Sequence, residues 1–168
     1  MNPFRRIAAA TLALLLPIAA FAATNSEAAF KKMQSLAGEW TGTDEHGMQA
    51  KSTFKLIVSG TTLMETLAMS GMEEMVTFYH IDGNAITLIH YCPTNNQLRM
   101  RAIPASADPK ELAFEFEGAA NLASPATGHQ HKLTLHFDDA NHITETWVWR
   151  QNGKDTPMVV HLTRKNSK

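Results

Sequence analysis

The chain has 168 residues, 44% hydrophobic and 18% charged, with a formal net charge of −1. That length fits one domain with a real core, and the absence of any basic block argues against a nucleic-acid or polyphosphate partner. Cys92 is the single cysteine, so an intramolecular disulfide is excluded and stability must come from packing.

The N-terminus reads as a secretory leader. Arg5 and Arg6 form a positive n-region, Ile7 to Leu16 is apolar, Pro17 breaks the run, and Ala20-Phe21-Ala22 is a small-x-small cleavage site. The apolar run is too short and too rich in alanine for a membrane span, and no second run could cross a bilayer. Ala23 follows the cut, which leaves no lipid attachment there, and the twin arginines lack the rest of a Tat-type motif. The expectation is a signal peptide over 1–22 and a single mature domain over 23–168, periplasmic or secreted. Its net charge is about −3, because the leader removes two arginines and no acid.

One helix is expected over Ser26 to Leu36, capped by Ser26, with Ala29, Phe30, Met33 and Leu36 on its apolar stripe. Helical periodicity then stops, and turn signals recur at short intervals. Strands are read near 39–45, 48–58, 62–69, 73–81, 84–92, 97–103, 111–118, 129–138, 142–151 and 154–164. Pro104, Pro109 and Pro125 mark loops over 104–110 and 119–128. Such an all-β meander of about ten strands closes most simply as an up-and-down barrel, which has no open edge.

Strand alternation places side chains on faces. With Asp82-Gly83 as a two-residue turn, Met75, Thr77, Tyr79, Ile86, Leu88, His90 and Cys92 share one face. With residues 93–96 as the next loop, Cys92 pairs with Gln97 and His90 with Arg99, which adds Arg99 and Arg101 to that face. Both faces are partly apolar, so the pattern does not choose between a lumenal and a solvated face. Analogy with ligand-binding barrels places Tyr79, His90, Arg99 and Arg101 inward. The C-terminal hairpin is clearer. Asn152-Gly153 sets Glu145, Trp147, Trp149, Met158, Val160, Leu162 and Arg164 on one face, and the tryptophans argue that it points inward. Glu145 then needs a partner or a raised pKa, and Arg99 or Arg101 is the candidate partner. Phe54, Leu56, Val58, Leu112, Phe114 and Phe116 are expected to complete the apolar wall.

Other chemistry-bearing residues are weighed against plainer roles. Met64, Met69, Met72 and Met75 can suggest copper, but the Ser70-Gly71 turn separates them and core filling suits them better. His129-Gln130-His131 needs a third ligand to hold a metal, and a solvated strand start is the simpler reading. His90 and Cys92, two residues apart on a strand, are poorly placed for an activated thiol. No nucleophile elbow, zincin, P-loop or dinucleotide motif occurs, which favours a binding protein over an enzyme and nominates no catalytic residue.

The opening Leu36-Ala37-Gly38-Glu39-Trp40-Thr41-Gly42, a Gly-x-Trp after a short helix, resembles the start of calycins, the lipocalin and fatty-acid-binding barrels. In that superfamily the tryptophan closes one barrel end and an arginine of the last strand packs on it, which implies that role for Trp40 and Arg164. Met75 to Gly83, His90-Tyr91-Cys92 and Asn96 to Arg101 are similar to a group of uncharacterised exported bacterial lipocalin-like barrel proteins, with Leu98 where many members carry proline. A more distant similarity to nitrobindin, a haem-binding barrel, rests on the Gly-x-Trp opening and topology.

The expected function is a binding protein that holds a small apolar or amphipathic molecule in a barrel cavity. Tyr79, His90, Arg99, Arg101, Glu145 and Trp147 would form the ligand site, with Arg99, His90 and Tyr79 fixing a polar or anionic head group. The alternatives are a haem or metal protein with His90 as ligand, His161 being the second choice, and a ligand-free structural or interaction module. The sequence names no cofactor.

Overall fold

The computed structural model describes residues 23–165, so the leader expected over 1–22 lies outside the described residues. Helix α1 (Asn25–Gln34) is followed by ten strands: β1 (Gly38–Asp44), β2 (Gln49–Ile57), β3 (Thr62–Met69), β4 (Met75–Asp82), β5 (Ala85–Tyr91), β6 (Gln97–Ala102), β7 (Glu111–Ala120), β8 (His129–Phe137), β9 (His142–Gln151) and β10 (Lys154–Arg164). Each strand pairs antiparallel with its chain neighbours, and β1 pairs with β10, so the sheet closes into a barrel. The all-β, ten-stranded up-and-down barrel with one short helix is the architecture expected from the turn spacing.

Helix α1 starts one residue earlier than its expected cap. Thr24 accepts from the Glu27 backbone N–H, and the Glu27 carboxylate accepts from the Thr24 N–H, which makes a capping box. Ser26 is instead buried and donates to the Gly83 carbonyl at 2.9 Å, tying the helix to the β4–β5 turn. Ala29, Phe30 and Met33 face the barrel, and Gln34 and Lys32 reach the Gly60 and Pro109 carbonyls of two further turns. The helix therefore lies across one barrel end. Trp40 and Arg164 seal the same end. The Trp40 indole donates to the Leu36 carbonyl at 2.8 Å, and the Arg164 guanidinium sits 4.3 Å from the Trp40 ring centre. Arg164 also donates to the Ser35, Ala37 and Ala140 carbonyls.

Three hairpins decide which side chains enter the lumen. The β9–β10 turn is Asn152-Gly153, with φ of 52° and 74°, and Trp147 pairs with Met158 and Glu145 with Val160. The β4–β5 turn is Gly83-Asn84 rather than Asp82-Gly83, because Asp82 pairs with Ala85. Gly83 alone of the two has positive φ, 61°, as a glycine-first turn requires. Pairing moves by two residues, so the faces keep their assignment.

The β5–β6 loop differs in a way that matters. Cys92 pairs with Asn96, the loop is only Pro93-Thr94-Asn95, and Asn95 takes φ of 65°. A third loop residue in the left-handed region makes the three-residue hairpin, not a four-residue one. His90 therefore faces Leu98 and Leu88 faces Met100, while Arg99 and Arg101 turn outward. The core fills the lumen with Trp147, Tyr79, Phe114, Leu88, Leu98 and Met100 among others. Leu56 and Val58 are exposed rather than wall residues, since the chain leaves the barrel there for the turn over Val58–Gly60.

Candidate functional site in the barrel lumen

Inward alternation on β2, β3, β4, β5 and β9 gathers a polar seam inside an apolar wall: Ser52, Glu65, Thr77, Tyr79, His90 and Glu145, all buried. Glu65 accepts from Ser52 Oγ and from the Tyr79 hydroxyl, each at 2.7 Å. The Trp147 indole donates to Glu145 Oε2 at 3.0 Å. Burial pushes both carboxyls up, and Glu145 is raised further by the charge of Glu65 beside it. Two adjacent buried carboxyls cannot both ionise. A proton on Glu145 Oε1, which meets no other partner, makes it a donor to Glu65. Burial and then the two carboxyls raise the Tyr79 hydroxyl well above its ordinary value.

His90 extends the seam toward the other barrel end. Its Nδ1 lies 2.9 Å from Thr77 Oγ1, its ring centre lies 4.7 Å from that of Trp147, and burial lowers it to about 4. The imidazole is neutral at physiological pH, and its Nε2 is buried without a partner. Asn96 and Gln130 stand nearer the same end, with Asn96 Oδ1 and Gln130 Oε1 also buried and unpartnered. The connector 121–128 straps this end. Asn152 N–H donates to the Ala126 carbonyl at 3.0 Å, and Asn96 Nδ2 reaches the Gly128 carbonyl at 3.4 Å. Gly128 lets the strap cross Trp149, since a Cβ there would stand 2.3 Å from the indole.

The structure brings together Tyr79, His90, Glu145 and Trp147, and it separates Arg99 and Arg101 from them. Arg99 is exposed on the outer wall and pairs with Glu117 at 3.2 Å. Arg101 donates to Asn84 Oδ1 at 3.2 Å, also outside. Neither guanidinium reaches Glu145, whose neighbours are Glu65 and Trp147. The expected lumenal arginine for an anionic head group is therefore absent among the described residues, because both guanidinium groups lie on the outer wall. Sequence reasoning missed Glu65, although Leu63-x-Glu65-x-Leu67-x-Met69 places it plainly on an apolar face.

Metal chemistry finds no support in the geometry. Among the described residues no group of three or more His, Cys, Asp or Glu is placed to hold an ion. Met69 and Met75 are core residues, whereas Met72 is exposed. His90 does not fit a haem iron either: its ring is sealed against Trp147, and a planar macrocycle would have to displace that indole. His161 lies on the outside, 3.1 Å from Thr144 Oγ1. Concavities of about 150 to 660 Å³ open on the outer wall or a barrel end.

No family model matches the chain, and no curated protein matches it. Among solved structures it is similar to Rv2717c from M. tuberculosis, with a TM-score of 0.58 and 12% identity over 82% of this chain and 98% of that one. A protein of unknown function of the DUF3598 family from Nostoc punctiforme gives 0.43 and 11%, over 79% of this chain and 49% of that one. A redesigned β-barrel gives 0.40 and 14%, over 86% and 100%. The first likeness agrees with the closed ten-stranded antiparallel barrel, and at such identity it speaks to fold alone.

Proposed function

We propose that the protein is an exported small-molecule-binding barrel whose site is the lumenal seam from Glu65 and Tyr79 to His90. The observation that carries the reading is the set of buried, unpartnered polar atoms in one half of the lumen: His90 Nε2, Asn96 Oδ1 and Gln130 Oε1. Each such atom left unpaired costs about 1–3 kcal/mol, so a guest that satisfies them is favoured. Two carboxyls and no buried cation in the described lumen disfavour an anionic guest. The two amide oxygens accept, so the guest offers N–H or O–H donors on a neutral, flat apolar body that packs against Trp147. The leader pattern over 1–22 supports export.

The filled lumen favours a second reading, a ligand-free structural barrel, because Trp147, Tyr79 and Phe114 already occupy the centre. Native mass spectrometry of freshly purified protein, followed by NMR titration with indole, adenine and dodecanoate, separates the two. A co-purified neutral molecule, or shifts at Trp147 and His90 with indole or adenine and none with dodecanoate, is expected. An empty protein whose lumenal resonances answer to none of the three establishes the second reading instead.

A further inference from the structure

Strand pairing lapses in more than one stretch of the wall: β10 meets β1 only over Val160–Arg164, and β7 parts from β8. β7 and β8 pair from Glu111 with His136 to Glu115 with Lys132 and no further, so Phe116–Ala120 and 129–131 face each other unpaired. A register shift flanks the split on each side, between Arg99 and Met100 across β6–β7 and between Gln130 and Lys132 across β8–β9. Bulges of this kind bend strands and re-aim side chains. The opposite barrel end is closed by α1, Trp40 and Arg164, and the split abuts Gln130, which pairs with Trp149, two residues along β9 from Trp147.

Side chains fill the split. The Phe116 ring stacks on His131, with centres 4.9 Å apart and planes 28° apart, and lies 5.0 Å from His129. A cleft of about 150 Å³, lined by Phe116, Leu122, Pro125, His129, His131 and Arg150, leads to it from outside. The protons of this cluster can be placed by elimination. His129 Nδ1 stands 2.7 Å from the Thr127 carbonyl, which only accepts, so Nδ1 carries the hydrogen. In the neutral ring Nε2 then accepts, and its partner at 3.1 Å is His131 Nδ1, which must be the N–H. That leaves a lone pair on His131 Nε2, where Arg150 Nη1, which only donates, is found. Working back from Arg150 gives the same order. Asp155 fixes the far end by a two-point pair with Arg150 at 2.6 and 2.7 Å. All four ring nitrogens are engaged, which also removes a metal from this pair.

We propose that the β7–β8 split is the entrance to the lumen, and that His131, clasped between His129 and Arg150 with Phe116 stacked on it, is a latch released by one proton. A proton on Nε2 turns an acceptor into a donor facing a donor, and sets a cation beside the guanidinium. The groups facing His131 are Glu115 and Phe116 on β7, His129 on β8, Arg150 on β9 and Asp155 on β10. Burial first, then Arg150 and His129, hold His131 below the ordinary histidine range, against the pull of Asp155 and Glu115. The latch is therefore closed at neutral pH and opens only below the ordinary histidine range. What passes the entrance rests on the ligand reading above; the latch itself does not.

The test needs no ligand. Ring ¹⁵N shifts at pH 8 should show both histidines protonated on Nδ1, and a His131 hydrogen on Nε2 overturns the clasp. The indole N–H of Trp147 reports water in the lumen, and that of Trp40, bonded at the closed end, reports global opening. After correction for intrinsic chemistry, Trp147 exchange should quicken at least about tenfold once pH falls from 8 far enough for the His131 ring ¹⁵N shifts to show it protonated, while Trp40 exchange stays level, in wild type and in Glu145→Gln alike. Phe116→Ala and Arg150→Ala, the second kept in case the first fails to fold, should give fast Trp147 exchange already at pH 8. Equal acceleration of both indoles, or a Trp147 that stays protected in a folded variant, refutes the entrance.

Discussion

Replacing Glu145 by glutamine should change how stability depends on pH, and the sign follows from where the proton sits. The folded carboxyl is raised well above 4.5 by burial and by Glu65, so the native state binds a proton that the unfolded chain releases. The stability this gives is fully present below pH 4.5 and is lost, at about 1.4 kcal/mol per pH unit, as pH rises toward the folded value. Glutamine keeps a donor for Glu65 and an acceptor for the Trp147 indole but cannot titrate. His90 works in the opposite sense. Lowered from 6.5 to about 4, it adds stability that is complete above pH 6.5 and fades as pH falls, by up to about 3 kcal/mol in all. In wild type the two slopes oppose each other above pH 4.5. In Glu145→Gln only Glu65, also raised by burial, still opposes the His90 rise, so stability falls less as pH increases. Urea unfolding at half-unit steps from pH 4 to 8, followed by far-ultraviolet circular dichroism, gives both curves, and groups away from the seam cancel in their difference, which leaves the proton shared by Glu145 and Glu65. Parallel curves would show that Glu145 holds no proton in the folded lumen, and the shared-proton account of the seam would fall.

Gly42→Ala should cost more than about 3 kcal/mol in the same assay. The added Cβ would stand 1.7 Å from the His161 carbonyl oxygen, a backbone atom that cannot swing aside, so the β1–β10 pairing must part. Arg99→Ala should change stability by less than about 0.5 kcal/mol. It should also leave the Trp147 and His90 resonances unmoved, because the guanidinium lies outside.

Much of the barrel was legible because its cues are local. Asn152-Gly153 is a turn whose two residues tolerate positive φ, and counting outward from it places Glu145, Trp147 and Val160 inward. Ten strands were readable from turn spacing, with ends displaced by no more than two residues. The seam was half legible. Tyr79 and His90 keep their face because the β4–β5 error was an even number of residues. The place of Glu65 on an apolar face was readable from Leu63, Leu67 and Met69, but its role was not, because its partners Ser52 and Tyr79 lie more than ten residues away on either side. The His129 and His131 clasp was beyond reach for a similar reason: Arg150 and Phe116 meet it only through tertiary structure, and the bulge at His131 carries no sequence signal.

The arginines were misplaced by a single residue, and the energetics explain why the chain accepts a strained asparagine to avoid that slip. A four-residue loop would turn Leu98 and Met100 out and Arg99 and Arg101 in. Exposing the two apolar side chains costs about 3–6 kcal/mol, and desolvating each guanidinium costs several more. Holding Asn95 at φ of 65° costs about 1 kcal/mol. Burial on β6 therefore dictates the loop. Asn95→Gly should be tolerated at full stability, and Asn95→Val should lose about 2 kcal/mol because a β-branched residue resists that backbone. The valine variant should nonetheless keep nuclear Overhauser contacts between His90 and Leu98 across the ladder. If contacts between Cys92 and Gln97 in paired register replaced them, the loop and not the buried face would be setting the register, and the outward place of Arg99 would be an accident of one turn.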